Sequence, residues 1–198
     1  AMNGVAIHRP HFASYAETTG SSLVSSFWML DVQRYLRPPR VVSYPEIENF
    51  PFSRFSKSDT LTFMQMALAK VCGSEGLLLD LHPMTGNGVD EEPGMGDLLD
   101  TSFPALALLS RRFSREMTSR GVGVPFVQDA AQRLPAPGGQ DYSLLIPRSS
   151  AAADLLGCLG VSFTARVTEG VNAIFGPYAW SLPDEILMYL FSRGLWLD

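Results

Sequence analysis

Glu46 and Glu48 stand two residues apart at the end of an apolar run that opens with Val41-Val42, and the segment stops at Pro51. Extended backbone sends side chains i and i+2 to the same side of a strand, so both acids point one way. A parallel strand buried on both faces tolerates no unpaired charge in its middle. Charge therefore collects at the carboxyl end, where the next loop opens toward a ligand. Either glutamate has the chemistry of a general acid, a general base or a nucleophile. His8, His11 and His82 each follow an apolar run closely, which suits a structural histidine or one lining a polar ligand. They lack the close-spaced ligand pair that zinc sites use, so no metal is implied. Asp129, after Val127, fits a helix or turn cap better than a ligand contact. Arg54 and Lys57 either balance the two glutamates, contact substrate, or open a helix.

The elements that must hold these residues alternate short apolar runs with helical periodicity, the pattern of βα units and a parallel sheet. Val5-Ala6-Ile7 predicts a first strand. A helix capped at Ser21 or Ser22 runs to about Leu36, and Pro38-Pro39 ends it. Residues 41–44 predict the second strand, with the acidic motif at its end. Ser58 caps a helix to about Cys72 with Leu61, Met64, Leu68 and Val71 on one face. Leu77-Leu78-Leu79-Asp80-Leu81 predicts the third strand, which empties into a long loop of Gly, Asn, Asp and Glu. Residues 98–120 read as helical, with Pro104 at a first turn or kink and Arg111, Arg112, Arg115 and Arg120 on a solvated face. After Gly121 the rhythm repeats on a smaller scale. Strands are predicted over 122–127, at Leu144-Leu145-Ile146, over 161–164 and over 172–175. A polar linker covers 132–140, a helix 151–159, and a last helix starts at Ser181-Leu182-Pro183-Asp184. The chain opens on a strand and closes on Leu195-Trp196-Leu197-Asp198 with no further element to cover it, so truncation at both ends is expected.

With 198 residues, 46% hydrophobic content, three Trp and twelve Phe, the chain can fill a core. A net charge of −5 gives no electrostatic footprint for nucleic acid. No run reaches the roughly 20 apolar residues of a membrane span. Cys72 and Cys158 sit among apolar neighbours and read as two buried thiols without metal or disulfide spacing. No G-x-S-x-G elbow is present, and Gly86-Asn87-Gly88 lacks the lysine and spacing of a phosphate loop. No cofactor is implied, and nothing in the sequence specifies a compartment.

The stretch Glu46-Ile47-Glu48-Asn49-Phe50-Pro51, followed by Ser53-Arg54-Phe55-Ser56-Lys57-Ser58, resembles the seventh-strand region of β-galactosidase-like glycoside hydrolases of family 42. The resemblance implies an α/β fold. Residues 1–120 would be strands six to eight of a (β/α)8 barrel, and residues 121–198 would begin a flavodoxin-like or amidotransferase-like assembly domain. In that family the nucleophile is a glutamate at the end of strand seven with proline three positions on. Glu48 matches the pattern and Glu46 does not. Glu48 is thus the implied catalytic nucleophile, while Glu46, Asn49, Arg54, His11 and His82 are the candidates for substrate contact. Retaining hydrolysis needs a second carboxyl group about 5–5.5 Å away across the scissile bond. In the family it belongs to an Asn-Glu pair after strand four, which these residues do not contain. The resemblance implies a carbohydrate substrate, a homo-oligomer (a trimer in the family), and half of the catalytic machinery on this chain. The alternative is a non-catalytic carbohydrate-binding or assembly module of the same shape.

Overall fold

The computed structural model describes residues 6–12, 15–17, 21–134, 143 and 150–197. Val5, the predicted strand at Leu144-Leu145-Ile146 and most of the predicted linker lie outside the described residues. The chain is α/β and divides into two compact units, residues 1–118 and 119–198.

The first unit runs β1 (Ile7–His8), α1 (Ser21–Leu36), β2 (Val42–Ser43), β3 (Glu46–Glu48), α2 (Asp59–Val71), β4 (Leu78–Asp80) and α3 (Pro93–Arg112). All its strand pairs are parallel. β1 pairs with β2, its extension at His11 bridges to Glu46, and β3 pairs with β4. β1 therefore lies beside β2 and β3 beside β4, and the His11 bridge carries the β1 segment on to β3. Pro45 has no N–H and separates β2 from β3, yet its carbonyl accepts the Leu78 amide at 2.9 Å. The acidic motif, read from the sequence as extended backbone at the end of the 41–44 strand, forms a short strand of its own, β3.

Register decides which side chains share a face. Ile47 faces a core built from Phe12 and Leu81 beside Leu30 of α1, Met66 and Ala69 of α2, and Leu98 of α3. All three helices thus cover one face of this layer. His11, Glu46, Glu48 and Asp80 stand on the other, because Glu46 is bridged to His11 and Glu48 is paired with Asp80.

Three helix readings need correction. In α2 the buried residues are Leu61, Thr62, Gln65, Met66, Ala69 and Lys70, and Met64 is exposed. The inward face carries polar groups that serve buried partners, which shifts the stripe from the one that hydrophobicity suggests. α3 begins at Pro93 and ends at Arg112 with Pro104 inside it. Arg115 therefore lies beyond the helix, where it donates to the carbonyls of Pro38 and Pro39 and approaches Glu75 at 3.7 Å. Among the described residues no helix is long and apolar enough to cross a membrane.

The second unit contains β5 (Val122–Gly123), α4 (Ala130–Arg133), α5 (Ala151–Cys158), β6 (Phe163–Thr164), β7 (Asn172–Ile174), α6 (Asp184–Arg193) and β8 (Leu195–Leu197). Its parallel sheet has the order β6-β5-β7-β8, so the winding reverses between β5 and β7. Gly123 lies so close to Asn172 that a Cβ there would fall 1.9 Å from its Oδ1. The terminal apolar run, expected to lack a covering element, is the edge strand β8, paired with β7 and set edge-on against Phe175 through Trp196. Cys158 is exposed, contrary to the sequence reading, while Cys72 is buried. α5 buries Ala152, Ala153 and Leu156, and Cys158 is rotated about 200° from Leu156 around the helix.

Candidate functional site

Glu48 closes β3 and the next residue, Asn49, still belongs to the ladder, donating its amide to the Asp80 carbonyl at 2.9 Å. The Glu48 carboxylate is largely enclosed, its side chain 18% exposed. His11 Nδ1 lies 3.7 Å from its Oε2. The Tyr15 hydroxyl hydrogen-bonds the same carboxylate. That bond, then burial and the charges of Glu48 and Asp80, hold the phenol proton and raise the Tyr15 pKa. His11 and Tyr15 are themselves in ring contact, with centroids 5.2 Å apart. Three strand ends thus converge: His11 and Tyr15 after β1, Glu48 on β3 and Asp80 on β4.

Glu46 occupies the same face one step back and pairs with Arg9. That guanidinium balances its charge, whereas Glu48 lies against the Tyr15 hydroxyl and the His11 ring. The two acids therefore differ in environment despite their shared face.

Behind Glu48 sits Lys57, a buried side chain just before the α2 cap. Its Nζ donates to the Glu48 carbonyl at 2.7 Å and to Gln65 Oε1 at 2.6 Å. Burial pushes the ammonium down to about 8, against the opposing pull of the Glu48 charge. Ser58 then caps α2, its Oγ accepting the Leu61 amide at 3.2 Å. The Ser58 amide donates in turn to Glu17 Oε2 at 2.8 Å.

A cleft of about 450 Å³ opens where the loops after β3 and β4 meet the starts of α2 and α3. Asn49, Arg54, Phe55, Lys57 and Glu92 line it, and Glu48 is not among its walls. Arg54 donates to Glu92 at 2.7 Å, and the Glu92 side chain is 4% exposed. Asn49 reaches the Leu81 carbonyl through Nδ2 at 3.3 Å.

The sequence candidates therefore divide. Glu48, Glu46 and His11 share one face of the strand layer, while Asn49 and Arg54 line the cleft. Arg54 balances Glu92 rather than either glutamate of the motif. His82 follows β4, and its buried Nε2 has no hydrogen-bond partner among the described residues. His8 lies beside Arg37, and burial followed by that charge lowers its pKa. The three histidines do not converge, and among the described residues no group of three or more His, Cys, Asp or Glu is placed to hold a metal ion. Asp129 precedes α4 and pairs with Arg133 at 2.8 Å.

Sequence reasoning passed over Tyr15 and Asp80. Asp80 carried a readable signal, since it too is an acid ending an apolar run. Tyr15 carried none, because its position depends on how the chain after β1 returns to β3. In comparisons with known proteins, no family model matches the chain, nor does any curated protein or solved structure.

Proposed function

We propose that this chain supplies the nucleophile side of a retaining glycoside hydrolase acting on β-glycosides, with Glu48 attacking the anomeric carbon. The observation that carries this reading is the setting of Glu48. It ends a parallel strand on the face opposite all three helices of its unit, and its carboxylate is met by a tyrosine hydroxyl and a histidine. Sequential parallel neighbours with helices on one side are the local pattern of a barrel wall, in which the opposite face becomes the interior. Active sites of such barrels sit at the carboxyl ends of the strands, where Glu48 and Asp80 stand.

In this mechanism Glu48 forms a bond to the anomeric carbon as the leaving oxygen departs with a proton from an acid on the other side of the sugar. Water then cleaves the glycosyl ester and restores the carboxylate. Tyr15, donating to Glu48, orients the attacking oxygen and gives up part of that bond as the charge is spent. Lys57 holds the Glu48 backbone through its carbonyl. Glu46, neutralised by Arg9, is suited to hydrogen-bonding sugar hydroxyls. The acid/base lies outside these residues, because the same-face carboxylates Glu46 and Asp80 would approach the sugar from the side of the nucleophile. We read the second unit as a flavodoxin-like domain that serves assembly into a homo-oligomer; its parallel order with a reversal between β5 and β7 is compatible with that reading.

The test is hydrolysis of aryl β-galactosides and β-glucosides by the full-length protein, with Glu48→Gln and Glu46→Gln compared. Loss of turnover by about a thousandfold or more is expected for Glu48→Gln, with a far smaller loss for Glu46→Gln. Sugar binding without turnover in the unsubstituted protein would favour the non-catalytic module instead.

A further inference from the structure

The cleft beside Asn49 is not used by the chemistry assigned to Glu48, and its walls have a composition of their own. We propose that it is a second carbohydrate position, holding a neutral pyranoside unit of the substrate other than the one attacked. The inference rests on the glycosidase reading and adds to it a preference for substrates longer than one sugar.

Size, charge and side-chain type all point to that occupant. The volume of about 450 Å³ lies within the range of small-ligand sites. Glu17, Asp59 and Glu92 line it together with Arg54 and Lys57, so acids and bases nearly balance. A phosphate would meet three carboxylates, and a cation would meet two basic groups. A neutral polyol instead finds both donors and acceptors. Glu92 is fixed for this role, since it is buried between Arg54 at 2.7 Å and Asn87 Nδ2 at 3.0 Å. The Oδ1 of Asn49 is buried and has no hydrogen-bond partner among the described residues, and a ligand hydroxyl would satisfy it. Phe55 adds the apolar element: the residue is 91% exposed and lines the cleft, and its ring has the Arg54 guanidinium 5.9 Å from its centre. An exposed aromatic beside planar polar groups matches a sugar ring, which is apolar on its C–H face and polar at its rim. The cleft also adjoins the Glu48 backbone. Asn49 is the residue after Glu48, and Lys57, in the wall, grips the Glu48 carbonyl.

The experiment is an amide NMR titration of isotope-labelled full-length protein carrying Glu48→Gln, using lactose, cellobiose and methyl β-galactoside as probes. The disaccharides are expected to shift amides of residues 53–59 and 94–95 as well as those near 46–48. Phe55→Ala is expected to weaken disaccharide binding about fivefold and leave methyl β-galactoside unchanged. The exposed ring of Phe55 makes a folding defect an implausible cause, and Phe103→Ala, exposed on α3, serves as the control with no expected effect. Shifts confined to residues near 46–48, or unchanged disaccharide affinity in Phe55→Ala, would overturn the second position while leaving the Glu48 reading standing. Shifts confined to the cleft would uphold a carbohydrate site there and overturn the role of Glu48. No shift with any of the sugars would overturn both.

Discussion

Replacing Lys57 by methionine is expected to change how the stability of the first unit depends on alkaline pH. The folded protein holds this ammonium at about 8 against an ordinary 10.5. Below pH 8 both folded and unfolded chains carry the proton, and the folded state bears the cost of the buried charge. Between about 8 and 10.5 the unfolded chain binds more protons, so stability rises with pH. The drop to about 8 is worth about 3 kcal/mol if wholly expressed, and solvent screening at the edge of the cleft brings this to about 1.5–2 kcal/mol. Lys57→Met removes the titration. It also strips a donor from the Glu48 carbonyl and from Gln65 Oε1, at about 1–3 kcal/mol for each buried acceptor left unmet. The variant should therefore be less stable than wild type at pH 7, with a gap that widens by about 1.5–2 kcal/mol toward pH 10. Urea unfolding at several pH values, followed by fluorescence of buried Trp28 with Trp180 and Trp196 replaced by Phe, reads this unit alone. The subtraction cancels other groups, including Cys72, whose thiol burial pushes up to about 12. A gap that stays constant or narrows would refute the assignment of Lys57 as a buried charge bonded to the Glu48 backbone.

Ile47→Ala, at a fully buried position between the two glutamates, should cost about 2–5 kcal/mol by urea denaturation while leaving the acids in place. Gly73 adopts φ +76°, and an added Cβ would fall 2.5 Å from the Ser114 carbonyl oxygen, so Gly73→Ala should lower the melting temperature of the first unit. For Glu75, burial alone would raise the pKa, but the Ser43 amide at 2.7 Å and the Arg37 guanidinium at 2.8 Å overcome it and lower the value. Glu75 therefore stabilises the fold above pH 4.5, and that contribution fades as pH falls through the lowered folded value. Glu75→Gln should flatten the acid limb of the stability profile. A disulfide-exchange reagent at pH 8 should titrate exposed Cys158 rapidly and buried Cys72 only on unfolding.

The βα rhythm, the start of α2 and the end of α1 were legible because they depend on local signals. Ser58 is a cap by residue type and position, and Pro38-Pro39 is a stop by backbone sterics. The strand-end placement of Glu48 was legible for the same reason, since charge at the end of an apolar run has few places to go. The phase of α2 was not, because Gln65 is buried as the partner of Lys57, and periodicity counts it as solvent-facing. Nor was the run at Leu195-Trp196-Leu197, whose cover is β7, some twenty residues upstream. The partners of Glu48 were hidden for a related reason: Asp80 is set beside it by strand pairing and Tyr15 by the chain that follows β1, each more than thirty residues away in sequence. Local chemistry identified the acid, and only tertiary structure supplied its surroundings.

The most direct test of the central claim is covalent trapping. Full-length protein incubated with a 2-deoxy-2-fluoro-β-glycoside bearing a good leaving group should accumulate a glycosyl ester, and peptide mass analysis should find it on Glu48. The adduct should be absent in Glu48→Gln and should form in Glu46→Gln. An adduct on Glu46 or Asp80, or turnover of aryl β-glycosides that survives Glu48→Gln, would contradict the assignment of Glu48 as the nucleophile.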